Sequence, residues 1–352
     1  MIETLDKIFF YFRWSSAARR DFYDLAANFV ADGVPVYDAV QEIGKRWEVE
    51  GNPKARVSNA ILASLRGRGG KALRFGQSIG AWVPSMEAMA IDAGEQAGDI
   101  AGGLRMASRL TTVANRIRST IQGEMTYPFM LLLMFGAFMM IISYQVVPVF
   151  ASILPRDRWP SGPKAMGFMA DNAIMIFSAA TLFLIGILVS FTLSKGRWVG
   201  GWRGFFDKNI PPWSINRQIA GAILMTSFST LIKSGVPFSE VIAKLLVTSS
   251  AWDAWHLEAM RTRMRKGQRD GDAMAGELFD DDVRWEIGVY GRLTSFASAL
   301  DSLSQRVTDR VIKKIQSFAA VMRTGIMILI AGMIVWVYGA FFEITMAARA
   351  AH

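Results

Sequence analysis

The chain has 352 residues, of which 52% are hydrophobic and 20% charged, with a formal net charge of +9. That is too apolar for an ordinary soluble protein and too charged for one that is nearly all membrane, so large soluble parts joined to a few spans fit both values. Cysteine is absent and only His256 and His352 are histidines, which leaves no donors for disulfides, thiolate chemistry or histidine-cluster metal sites.

The basic excess matches anionic lipid headgroups and positively charged cytoplasmic loops. No zinc-finger spacing or Arg-aromatic RNA motif accompanies it, so no nucleic-acid partner is expected.

In chain order, residues 1–14 read as a short amphipathic segment. Its early acids and short apolar run do not make the core of a secretory signal. Residues 15–126 read as a first cytoplasmic helical module. Apolar residues recur three and four apart in Leu25, Phe29 and Val30, then in Val36, Ala39, Val40 and Ile43. Between these runs stands Gly33-Val34-Pro35: Gly33 can take positive φ and close one helix, and Pro35 suits the first turn of the next. The basic, glycine-rich stretch Arg66–Ala72 lacks the hydroxyl of a phosphate-binding loop and reads as a flexible turn. Further on, Gly94-Glu95 and Gly98 lead through Leu104, Ser108 and Leu110 to a basic stretch at Arg116-Ile117-Arg118.

Residues 127–147 carry no charge and are long enough to cross an apolar layer about 30 Å thick. Residues 148–172 read as a periplasmic loop in which Pro148, Pro155, Pro160 and Pro163 forbid a continuous helix. Such a loop is either a plain connector or a compact cap that touches a translocated partner. Residues 173–194 form a second span. The interfacial linker 195–206 brings Trp198, Trp202, Phe205 and Phe206 among Arg197, Arg203 and Lys208, an aromatic and basic collar at headgroup depth that anchors to membrane lipids.

Residues 207–324 repeat the pattern as a second cytoplasmic helical module. Phe228, Leu231 and Ile232 precede Gly235-Val236-Pro237, and Val241, Ile242 and Leu245 follow it. Gly291 leads through Leu300, Leu303 and Val307 to the basic Val311–Lys314 and then to a third span at 325–346, with a periplasmic tail at 347–352. Module, basic helix and span thus occur twice, with the second span inserted between the copies. Lysines and arginines near the span ends place the N-terminus and both modules inside, and the 148–172 loop and C-terminus outside. The fold class is an all-α membrane protein with two homologous cytoplasmic helical-bundle modules and three transmembrane helices.

Chemical signals are sparse. Asp280-Asp281-Asp282 lacks the ligand spacing of a calcium loop and reads as a helix cap or surface patch. His256 lacks a nucleophile partner and reads as a packed neighbour of Trp252 and Trp255. Hence no enzyme activity, metal or cofactor is expected. Arg261, Arg263, Arg265 and Lys266 form either a solvated face or a docking surface for an acidic patch on a cytoplasmic partner. Glu343, near the outer end of the third span, either snorkels to water or contacts a basic or amine group of a partner. Gly136, Gly332 and Gly339 allow close helix approach of the kind a homo-oligomer uses. The competing class, a subunit of a transporter or permease, is opposed by spans without broken, polar midplane segments.

At these residues the chain resembles the type II secretion F-protein family, the inner-membrane platform proteins of type IV pili and type II secretion systems. The resemblance is carried by Gly33–Val40, Gly94–Ile100, Tyr127-Pro128, Ile210-Pro211-Pro212-Trp213 and Ser234–Pro237, in that order over nearly the whole chain. Departures are Gly291-Arg292 where the family often repeats Gly-Glu, Arg323-Thr324-Gly325 before the last span, and a short N-terminal extension. They point to a divergent branch of the type IVb or conjugative thin-pilus kind. The resemblance implies a multi-pass bacterial inner-membrane platform that couples a cytoplasmic hexameric ATPase to extraction and polymerisation of pilin or pseudopilin subunits, alongside other inner-membrane assembly proteins.

Overall fold

The computed structural model describes residues 14–67, 72–233, 235–292 and 296–350. Residues 1–13 of the N-terminal segment expected at 1–14, most of the glycine-rich turn, Ser234 and the end of the tail lie outside the described residues. Among those described, the secondary structure is helical and no strand forms. The chain divides into two compact units. One takes the residues up to Ser119 together with Lys195–Ile312, and the other takes Thr120–Ser194 together with the residues from Lys313 onward.

The first unit contains both modules, and they share one topology. In the first, α1 (Ser16–Ala31), α2 (Val36–Val49), α3 (Ala55–Leu65), α4 (Phe75–Gly80) and α5 (Ser85–Gln96) lead into α6 (Ile100–Ile141). Phe22, Tyr23, Ile43, Ile61, Phe75 and Ile91 are buried in its core, and Trp14 packs against Phe22 and Trp47 at ring separations of 5.6 and 5.7 Å.

The second module is preceded by α10 (Gly201–Asn209) and built from α11 (Trp213–Lys233), α12 (Phe238–Thr248), α13 (Ala251–Arg265), α14 (Asp270–Met274) and α15 (Asp281–Tyr290). These lead into α16 (Phe296–Ala350). Phe228 stacks on Phe238 across the α11–α12 corner, with ring centroids 5.0 Å apart.

The modules pack against each other through α11, which is buried on nearly every side. Its hydroxyl residues make that burial tolerable. Thr226 and Ser227 return their hydroxyls to the carbonyls of Ala222 and Ile223, so these two groups stay satisfied where the helix meets α5. Asp301 of α16 accepts from Arg109 of α6 and Lys233 of α11, at 3.3 and 2.5 Å.

In the second unit lie the apolar parts of α6 and α16, the span helix α9 (Ala173–Ser194), and the connection between α6 and α9. Three helices, Ile100–Ile153, Ala173–Ser194 and Phe296–Ala350, are long and apolar enough to cross a membrane. The stretch 148–172, expected as a loop, is largely helical. A π-helical turn, Ile142–Val146, widens α6 and lets the chain continue into α7 (Val147–Ile153) despite Pro148. A short 3₁₀ turn and α8 (Ser161–Asp171) follow, with Pro155 and Pro160 at cap positions and Pro163 in the first turn of α8. Proline breaks this segment into short helices without abolishing them, since Pro155, Pro160 and Pro163 stand where no intrahelical N–H bond is lost. The Trp159 indole donates to the Leu154 carbonyl at 2.7 Å, and Arg156 pairs with Asp171 at 2.8 Å.

Candidate functional site

The two Gly-Val-Pro corners have matching geometry. Gly33 and Gly235 adopt φ of +87° and +81°, conformations that side chains with a Cβ disfavour. The Val34 N–H donates to the Phe29 carbonyl at 3.0 Å and the Gly33 N–H to Val30 at 3.1 Å. In the second copy Val236 donates to Leu231 at 3.1 Å and Gly235 to Ile232 at 2.9 Å. Both are Schellman closures that satisfy the last carbonyls of the incoming helix. Pro35 and Pro237 stand at the N-cap, one position before the first turn expected for them, and their φ of −55° and −58° aims the chain into the next helix.

The Gly-Glu motif of the first module is structural. The Glu95 carboxylate accepts the N–H groups of Phe75 and Gly76 at 3.0 and 2.9 Å and caps the start of α4. Gly94 lies so close to Gly103 that a Cβ on it would fall 2.5 Å from the Gly103 Cα, and Gly98 closes α5 with φ of +77°. In the second module a tight crossing lies between Gly271 and Gly291, matching that of Gly76 with Asp92 in the first. The residue after Gly291 is the exposed Arg292 rather than a glutamate.

A buried ionic knot, unforeseen from sequence, ties α10 to the second module. Arg203 and Asp207, with side chains 2% and 6% exposed, pair at 2.9 Å, and the Trp252 indole donates to Asp207 at 3.0 Å. The Arg203 guanidinium also lies over the rings of Trp198 and Trp252. Arg217 donates to the carbonyls of Asp207 and Leu278, each at 3.0 Å, and pairs with Asp280. Burial pushes the Asp207 carboxyl up, while Arg203, the Trp252 indole and Arg217 pull it back down. His256 lies edge-on to Trp252 and Trp255, and its buried Nε2 meets no hydrogen-bond partner among the described residues. Burial holds its pKa down at about 4, with Arg217, Arg203 and Arg263 pushing the same way.

This knot corrects the expected linker. The 195–206 stretch is part of the second module, because the Gly196 carbonyl takes the Trp252 N–H at 3.1 Å and Arg203 turns inward. Of the aromatic collar, Trp202 and Phe205 are exposed, whereas Phe206 packs against Trp198 and Trp213. The alternation of outward aromatics with an inward Arg-x-x-x-Asp pair, spaced one helical turn apart, was the available signal.

The basic stretch of α13 is not one surface. Arg261 pairs with Glu258 at 3.0 Å, and Arg265 lies one turn further along the same face. Arg263 points elsewhere, donating from Nε to the Ala273 carbonyl at 2.9 Å with its guanidinium packed on Gly276. Lys266 occupies the C-cap of α13. The three aspartates at 280–282 are each engaged by an arginine, Arg217, Arg284 and Arg310 respectively. Glu343 is exposed, with its carboxylate beside the backbone of Gly162 at the start of α8. Phe177 packs on Gly136, while Gly332 and Gly339 face open space.

Comparison with known proteins agrees with this duplicated architecture. Along 335 residues the chain is 26% identical to the toxin coregulated pilus biosynthesis protein E of Vibrio cholerae, covering 94% of this chain and 96% of that one. It is 23% identical over 229 residues to the type IV pilus assembly protein PilC of Myxococcus xanthus, covering 62% of this chain and 54% of that protein. The family model for type II secretion system protein F matches twice, over residues 22–148 and 224–343. Each match begins within the first helix of a module, passes through its Gly-Val-Pro corner and ends in or just beyond an apolar run, so the chain belongs to the type II secretion system protein F family.

Proposed function

We propose that the chain is the inner-membrane assembly platform of a type IV pilus or type II secretion machine, coupling a cytoplasmic hexameric ATPase to extraction and polymerisation of pilin subunits. The three apolar helices and the family membership support an inner-membrane location. The lysine and arginine distribution supports a cytoplasmic N-terminus and cytoplasmic modules, with the C-terminus in the periplasm. Exposed Arg261, Arg265 and Lys266 are available to an acidic patch on the ATPase, and Glu343 to a basic or amine group of a pilin. The fuller coverage of the toxin coregulated pilus protein favours the type IVb branch.

One observation carries the reading. Each module passes without a break into a helix that becomes an apolar run, α6 over 42 residues and α16 over 55. At 1.5 Å per residue such helices extend about 60 and 80 Å, so a displacement of a module is transmitted along a stiff element. A Gly-Pro pair inserted between Ser119 and Thr120 breaks that continuity while leaving each flanking half intact. The expected result is loss of filament assembly at unchanged protein abundance, with the ATPase still co-purifying. Full filament assembly by this variant would remove the force-relay reading, and solute flux in vesicles of the purified protein would favour a permease.

A further inference from the structure

A groove of about 660 Å³ opens to solvent on the second module, between the end of α13, α14 and α15. Arg263, Arg284 and Arg292 line it against a single lining carboxylate, Asp272. Arg284 is paired with Asp281 at the rim, whereas Arg292 has no carboxylate partner among the described residues. Burial lowers the proton affinity of Arg263, the nearby Arg284 cation adds to that effect, and Glu277 opposes it. The groove therefore holds cationic charge that its own walls do not neutralise.

Its apolar component is equally distinct. Trp285 is 71% exposed and Val289, one turn along α15, is 41% exposed, so the two form a strip beside the arginines. Tryptophan and arginine are the side chains most enriched at the energetic centres of protein interfaces. The matching place in the first module differs in charge. There the residue after the glycine is Glu95, folded inward onto the α4 N–H groups, and the duplicated position carries the opposite charge turned outward as Arg292.

We infer that this groove docks an acidic peptide segment of a protein partner. Carboxylates of that segment meet Arg263, Arg284 and Arg292, and one of its apolar side chains lies on Trp285 and Val289. The inference stands on the groove alone and does not depend on the chain acting as a motor-coupled platform.

The test uses the full-length protein in nanodiscs of uncharged phosphatidylcholine and a fluorescein-labelled peptide rich in aspartate and glutamate with one leucine. Saturable binding is expected, read by anisotropy. Arg292→Glu or Trp285→Ala should weaken it by about tenfold, as loss of an interface anchor does. The charge-matched control Arg56→Glu, exposed on α3 of the first module, should leave it within about twofold, as charges remote from an interface do. Equal loss in the control would overturn the inference in favour of unspecific attraction. Complete displacement of the peptide by phosphatidylglycerol vesicles would assign the groove to lipid instead, and absence of binding to the wild-type protein would remove it. Filament assembly that survives Arg292→Glu, alongside lost peptide binding, would leave the groove intact and count only against its need in assembly.

Discussion

Arg19 of α1 holds Glu87 of α5 through two hydrogen bonds, Nε to Oε2 at 2.8 Å and Nη2 to Oε1 at 3.0 Å, with the carboxylate side chain only 5% exposed. The Tyr23 hydroxyl donates to the same carboxylate at 2.7 Å. In the second module Arg217 and Asp280 join the corresponding pair of helices. Counted back from the glycine of the Gly-Val-Pro corner, Arg217 lies one helical turn further than Arg19. Counted back from Gly94 and Gly291, Asp280 likewise lies one turn further than Glu87. The clasp between the first and fifth helices is thus kept in both copies while its position has moved one turn along each.

Removing one half of this clasp should be costly. Glu87→Ala leaves Arg19, only 11% exposed, without its counter-charge and is expected to destabilise the full chain by about 3–5 kcal/mol. Replacing Arg19 by Met, Tyr23 by Phe and Glu87 by Leu together should restore most of that loss, because no buried charge or hydroxyl is then stranded. Thermal unfolding in detergent micelles measures both. A single variant that melts with the wild type would show that the clasp adds no stability.

The glycine positions separate two mechanisms. Gly33→Ala and Gly235→Ala have open space for a Cβ, so their cost is the positive φ alone, about 1–2 kcal/mol each. Gly271→Ala keeps an ordinary φ but drives a Cβ to 2.4 Å from the Gly291 Cα, which forces α14 and α15 apart. Its melting temperature should therefore fall further than either corner variant, and Gly33→Asn should be milder than Gly33→Ala because asparagine tolerates the left-handed region. Equal shifts in all four proteins would refute the distinction.

Much of the architecture was legible in the sequence because it rests on local rules. The Gly-Val-Pro corners, the three-and-four spacing around Phe228, and the uncharged runs each announce a helix end, a buried face or a span. Leu25, by contrast, turns out exposed, and Phe22, Tyr23 and Ala26 take the buried face of α1. What stayed hidden depends on which face a charged side chain takes. Glu95 reads only as part of the Gly94–Ile100 motif, yet it caps α4, a helix twenty residues earlier in the chain. Arg203 reads as part of a headgroup collar, yet it is buried with Asp207. Arg263 sits in a basic run, yet it bonds to the backbone of α14. Glu95 and Arg263 are set by partners in other helices, which no local periodicity encodes, whereas the Arg203–Asp207 pair was encoded only as a one-turn spacing. The helical character of 148–172 was hidden for another reason: proline density argues against one long helix and says little about several short ones.

His256 offers a test by pH. Its folded-state pKa of about 4 lies below the ordinary 6.5, because burial and the cations of Arg217, Arg203 and Arg263 oppose protonation. The unfolded chain therefore takes up a proton first as pH falls. Stability from the neutral imidazole is fully present above pH 6.5, declines between 6.5 and about 4, and is lost below that. A shift of this size corresponds to up to about 3 kcal/mol. Asp207, also in the knot, acts in the opposite sense: its carboxyl is raised, so acid favours the folded state through that group. The two contributions separate by difference. His256→Gln removes only the imidazole, so the stability of the wild type relative to the variant should decline from pH 7 to pH 4, with most of the decline below 6.5. A difference that stays flat over that range would mean the imidazole finds a proton-accepting partner when charged, and the knot would then tolerate a third cation beside Arg203 and Arg217.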